Sequence, residues 1–146
     1  MSKKNRAFLK WAGGKYGLSD VIAKMLPKGD CLIEPFVGAG SVFLNTDYSR
    51  YVLNDINKDL INLYQILQVK PDTFIHDARK FFSAENNESD TYYQLRKEFN
   101  ESKDRYFRSL IFLYMNLDIE SIKFMSSNII KAGCELQGQS SLKGKV

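Results

Sequence analysis

The chain has 146 residues, 44% hydrophobic and 26% charged, with a formal net charge of +4 and a pI near 9.0. That is room for one domain with a real core, and the balance excludes wholesale disorder. No apolar run reaches the roughly 18–20 residues that cross a bilayer, and the apolar stretch behind the basic start is too short for a signal peptide.

The basic excess is mild and favours a polyanionic partner such as nucleic acid. Cys31 and Cys134 form no disulfide framework and have no metal-like spacing, so a cytoplasmic protein is expected.

Residues 1–17 are polar and glycine-bearing and read as an arm or loop. Leu18, Val21, Ile22, Met25 and Leu26 fall at i, i+3, i+4, i+7 and i+8, which predicts an amphipathic helix stopped by Pro27-Lys28-Gly29. Cys31-Leu32-Ile33 and Tyr51-Val52-Leu53 are short apolar runs that suit buried parallel strands. Between them Gly38-Ala39-Gly40-Ser41 turns the chain into a short helix carrying Val42, Phe43 and Leu44.

Past Asp55 the pattern is helical for about sixty residues. Leu60, Ile61, Tyr64 and Leu67 share one face, and Pro71 opens a second helix with Phe74, Ile75, Ala78, Phe81 and Phe82. Tyr92, Leu95 and Phe99 mark a third, and Phe107, Leu110, Ile111 and Tyr114 a fourth. The order contains one βαβ unit, which predicts an α/β fold whose parallel sheet two strands leave unfinished. From Leu117 the periodicity fades: residues 119–146 are rich in serine and glycine, with scattered apolar residues, and are predicted to be poorly ordered.

The richest stretch is Glu34-Pro35-Phe36-Val37-Gly38-Ala39-Gly40-Ser41, directly after a predicted strand and before a helix. Glycines there let the backbone turn sharply and let a ligand approach main-chain N–H groups. The stretch lacks the Gly-Lys-Ser/Thr of a nucleotide-triphosphatase loop, and Phe43 stands where a dinucleotide fingerprint needs its third glycine. An acid and a proline ahead of the glycines suit a ligand with a positive group and no pyrophosphate, and S-adenosylmethionine is one.

Asp55 follows the second strand, so it is expected to face the same crevice as Glu34 and to accept ribose hydroxyls. The plainer reading is that it caps the next helix. Trp11, the only tryptophan, lies between Lys10 and Lys15 and beside Gly13 and Gly14. It either stacks on a ligand ring or closes the core, and composition does not choose between these.

Three segments together resemble the bacterial and phage DNA adenine methyltransferases that act on GATC. They are Phe8-Leu9-Lys10-Trp11-Ala12-Gly13-Gly14-Lys15, then Glu34 through Asn45, then Asn54-Asp55-Ile56-Asn57. The likeness runs from about residue 4 to Asn116. It implies that Trp11, Lys15 and Asp55 bind S-adenosylmethionine, with Glu34, Gly38 and Gly40 forming the loop around its methionine end. It implies also that Lys10 reaches a base of duplex DNA. The carboxylates of residues 84–90 have no partner histidine or cysteine, so no metal is expected. The implied organisation is an S-adenosylmethionine-binding part over 1–56, the helical start of an inserted target-recognition domain over 57–118, and a divergent tail over 119–146. The whole is expected to be monomeric.

The likeness stops after Leu113-Tyr114-Met115-Asn116, and the family's catalytic Asp-Pro-Pro-Tyr motif is absent, because no two of Pro27, Pro35 and Pro71 are adjacent. In the family that motif accepts hydrogen bonds from the amine of a flipped adenine and stacks its ring. The sequence therefore reads as a truncated methyltransferase, inactive alone or dependent on a second chain; the alternative is a non-catalytic fragment that binds the cofactor or DNA. His76 reads as a surface residue, and the acids of residues 84–90 as a solvated loop. Arg105 and Arg108 serve equally as phosphate contacts or as ordinary helix-surface residues, and Cys134 as an idle thiol.

Overall fold

The computed structural model describes residues 4–7, 9, 11–83, 88–116 and 120–138. A short 3-10 turn, Lys15–Leu18, leads into α1 (Ser19–Met25), and β1 (Cys31–Glu34) follows. The glycine loop and a second 3-10 turn, Phe43–Asn45, lead to β2 (Arg50–Asp55). Four helices come next: α2 (Lys58–Val69), α3 (Pro71–Phe81), α4 (Ser89–Glu101) and α5 (Arg105–Asn116). Helix α6 (Glu120–Lys131) and strand β3 (Glu135–Gly138) complete the described residues.

Local chemistry sets these boundaries. The Asn57 side chain caps α2 by accepting the amides of Asp59 and Leu60 at 3.0 and 3.1 Å. Pro71 opens α3, where its missing N–H costs nothing. At the end of α6, Gly133 takes φ +55°, while its N–H and that of Cys134 return to the carbonyls of Ile130 and Ile129. This left-handed glycine cap reverses the chain into β3.

The fold is α/β, with a parallel sheet in the order β1-β2-β3 among the described residues. Glu34 lies opposite Leu53, and Asp55 opposite Gly138, so the carboxyl ends of all three strands point to one edge. The sheet is larger than the sequence predicts, because its third strand comes from the segment expected to be poorly ordered. That expectation fails for residues 120–138. Ile122, Met125 and Ile129 are fully buried, spaced i, i+3 and i+7, and each such side chain contributes about 1.5–3 kcal/mol by leaving water. Ser126 Oγ donates to the Leu67 carbonyl at 3.1 Å, and Gln68 Nε2 to the Cys134 carbonyl at 2.7 Å, tying the segment to α2. Residues 117–119 and 139–146 of the predicted tail lie outside the described residues.

One core runs through sheet, helices and tail. Leu53 from β2, Leu60, Leu63, Tyr64 and Leu67 from α2, Phe74 from α3, Leu113 from α5 and Met125 from α6 are completely buried in it. Side chains of β2, of α2, α3 and α5, and of α6 thus share one core. Helix α4 sits at the periphery: none of its residues is buried, and Phe99 packs against the core, its ring stacked on Phe112 with centroids 6.4 Å apart.

Candidate cofactor site

The loop after β1 is held from several sides. Val37 N–H donates to the Asn54 carbonyl, and Gly40 N–H to the Val37 carbonyl, each at 2.9 Å. Gly38 takes φ +50°, and its N–H donates to Asp55 Oδ2 at 2.9 Å. Asp55 Oδ1 accepts the Asn57 amide at 2.9 Å. Asp55 therefore braces the loop and the entry to α2, while the helix cap proper is Asn57.

Trp11 packs over this loop. A Cβ at Gly38 would lie 3.2 Å from its Cδ1 and 3.3 Å from its Nε1, so only glycine lets the indole come so close. Lys15 Nζ meets Glu34 Oε1 at 3.2 Å and also donates to the Phe36 carbonyl, which fastens the arm to the loop. Trp11, Gly13, Gly14, Lys15, Gly38 and Asp55 line a cavity of about 150 Å³ at the carboxyl ends of β1 and β2.

Of the residues singled out from sequence, Trp11, Lys15, Gly38 and Asp55 converge on this cavity. Glu34 does not line it and is reached through Lys15; it is 7% exposed, and its Oε2 is buried without a hydrogen-bond partner. Burial raises the Glu34 carboxyl above its ordinary range, against the opposing pull of Lys15. Gly40 also lies off the cavity. At φ +78° it packs beneath the loop, where a Cβ would come 3.0 Å from Met125 Cε. Lys10 lies outside the described residues.

Two participants were not singled out for the site. Tyr64, buried in α2, donates its hydroxyl to the Gly38 carbonyl at 2.6 Å. Met125 supports the loop from α6. Tyr64 shows in the sequence only as a core position of its helix, and nothing there ties it to the glycines.

Arg108 is committed inside the fold. Its guanidinium pairs with both oxygens of Asp59 at 2.9 Å, donates to the Phe99 and Ser102 carbonyls, and lies over the Phe99 ring at 4.0 Å. Arg105 bonds Asn62 and Gln65 on α2. His76 is exposed, and residues 84–87 lie outside the described ones. Among the described residues no cluster of three or more His, Cys, Asp or Glu is placed to hold a metal ion. No described helix is long and apolar enough to cross a membrane.

The glycine loop, the indole, the lysine and Asp55 thus meet at the carboxyl end of a parallel sheet, which is where open α/β sheets hold their ligands. Comparison with known proteins supplies the family. Residues 11–128 match the model of the D12 class N6 adenine-specific DNA methyltransferases, and the chain belongs to that family. It is 66% identical over 114 residues to a DNA adenine methylase of Serratia marcescens, 61% to one of Escherichia coli strain K12, and 60% to one of Vibrio cholerae. The alignments take in 78% of this chain and 41–42% of the relatives, so the chain spans about two fifths of their length. The family match runs past Asn116, where the motif likeness stops, and takes in most of α6. The expectation of an unrelated tail is corrected to that extent.

Proposed function

We propose that this chain is the S-adenosylmethionine-binding part of a DNA adenine N6-methyltransferase that acts on GATC in duplex DNA. The observation that carries the reading is the convergence of Trp11, Lys15, Gly38 and Asp55, from three separate segments of sequence, on one cavity. When bound, S-adenosylmethionine supplies an electrophilic methyl group. Asp55 would take the ribose hydroxyls, Trp11 would stack on the adenine ring, and Lys15 would meet the carboxylate of the methionine part. Gly38 and Gly40 let the loop close on the ligand. Glu34 would serve the same ligand through Lys15, whose Nζ it holds at 3.2 Å at the edge of the cavity. A 150 Å³ cavity takes one moiety of such a ligand; the remainder lies over the open side or displaces the Trp11–Lys15 arm.

Methyl transfer also needs acceptors for the amine of the target adenine and an aromatic to stack on its ring. The Asp-Pro-Pro-Tyr motif that provides them in the family is not among these 146 residues. We therefore read the chain by itself as binding the cofactor without transferring the methyl. Residues 57–118 would begin the target-recognition part, and Lys10 would contact a base. Contact with duplex DNA would be weak without the rest of a recognition domain, and the chain would act as a cytoplasmic monomer. A GATC-bearing plasmid incubated with the chain and S-adenosylmethionine, then digested with a methylation-blocked nuclease, tests this: complete cleavage is expected. Protection of the plasmid by the chain alone would show that transfer proceeds without the motif.

The second reading is a chain whose only activity is binding the cofactor or DNA, and the absent motif favours it. Restoration of plasmid protection on adding the remaining three fifths of a relative's chain would decide for the methyltransferase reading.

A further inference from the structure

We propose that Tyr64 is a positioning residue of the cofactor site: its hydroxyl fixes the Gly38–Ala39 peptide so that the Ala39 N–H faces the crevice as a donor to a ligand oxygen. This rests on the S-adenosylmethionine reading above and adds to it a residue that does not line the cavity.

The argument starts with burial. Tyr64 is 0% exposed on α2, and a phenylalanine would fill the same apolar space without bringing a hydroxyl that needs a partner. That hydroxyl donates to the Gly38 carbonyl at 2.6 Å. Burial, with Glu34 and Asp55 nearby, holds the phenol well above its ordinary range, so it keeps its proton and remains a donor. On the other side of Gly38, its N–H is held by Asp55 at 2.9 Å. Both backbone groups of one left-handed residue are thus pinned, one from the core and one from the site.

Peptide planarity carries the effect outward. In a trans peptide the carbonyl oxygen and the following N–H point in opposite directions. Tyr64 draws the Gly38 oxygen toward the core, so the Ala39 N–H is turned the other way, toward the cavity that Gly38 and Ala39 both line. Trp11 rests against Gly38 and is the chain's only tryptophan, so its fluorescence reports on this peptide directly.

The test compares the full chain with Tyr64→Phe and with Phe74→Leu, a core substitution on α3. Titration calorimetry with S-adenosylmethionine is combined with acrylamide quenching of Trp11 and thermal unfolding. Tyr64→Phe is expected to weaken binding about tenfold, as losing one well-placed hydrogen bond does, and to make Trp11 more quenchable. Phe74→Leu is expected to lower the unfolding midpoint and leave both the affinity and Trp11 unchanged. Tyr64→Phe binding within twofold of the unmodified chain, with Trp11 unaltered, would overturn the proposal. Loss of the fold in Tyr64→Phe would overturn it too, because the hydroxyl would then serve the core and not the loop. If the unmodified chain takes up no S-adenosylmethionine, the cofactor reading falls, while Trp11 quenching still decides whether Tyr64 holds the loop.

Discussion

Replacing Gly38 by alanine strikes the loop at its most constrained point. Two costs follow from the geometry. The residue sits at φ +50°, where a Cβ costs roughly 1–2 kcal/mol. The added carbon would also lie 3.2 Å from Trp11 Cδ1, and overpacking of that kind costs about 1–3 kcal/mol if the indole stays in place. Together these predict a loss of about 2–5 kcal/mol, or about 1–2.5 M in urea midpoint at a slope of about 2 kcal/mol per molar. If Trp11 swings aside, only the backbone cost remains and its emission shifts toward that of a solvated indole. Urea unfolding followed by circular dichroism and by Trp11 fluorescence separates the two routes. Gly29→Ala is the control, since nothing lies within 4 Å of its added carbon, and it is expected to be neutral. A Gly38→Ala protein within about 0.5 kcal/mol of the unmodified chain, with unchanged Trp11 emission, would refute the loop geometry.

Other consequences are open to measurement. Burial raises the Glu34 carboxyl, so its contribution to stability is full below its unfolded value of 4.5 and is lost as pH rises through the folded one. Glu34→Gln is therefore expected to gain in thermal midpoint relative to the unmodified chain between pH 4 and pH 8, and an unchanging difference would contradict that cause. Met125→Ala removes a fully buried side chain of α6 beneath Gly40, and a loss of about 2–5 kcal/mol in urea unfolding is expected. A loss under about 0.5 kcal/mol would mean that α6 is not packed on the loop. Burial pushes the Cys134 thiol up to about 11, so iodoacetamide at pH 8 is expected to modify half-buried Cys31 and spare Cys134 until the protein unfolds. Equal labelling of the native protein would place β3 elsewhere.

The sequence announces the first half of the molecule through strong local signals. The apolar runs at Cys31 and Tyr51 become β1 and β2, and the helical spacing of Leu60, Tyr64 and Leu67 becomes the buried face of α2. The glycines mark the turn because a positive φ at Gly38 and Gly40 demands them. The tail is hard to read for equally local reasons. On α6 the apolar residues Ile122, Met125 and Ile129 keep helical spacing, yet buried Ser126 interrupts the stripe and finds its acceptor in the distant Leu67 carbonyl. Strand β3 is four residues long with a single apolar side chain, Leu136, so no alternation identifies it without β2 as a partner. At the site, residue type points to Trp11, Lys15 and Asp55. The supporting contacts of Tyr64 and Met125 span many residues of sequence and become visible only when the chain is folded.

Calorimetric titration of S-adenosylmethionine into the full chain, beside Asp55→Ala, tests the cofactor reading most directly. One ligand per chain is expected for the unmodified protein, with heat sharply reduced in a variant confirmed as folded by circular dichroism. No heat from the unmodified chain, or equal affinity in Asp55→Ala, would contradict it.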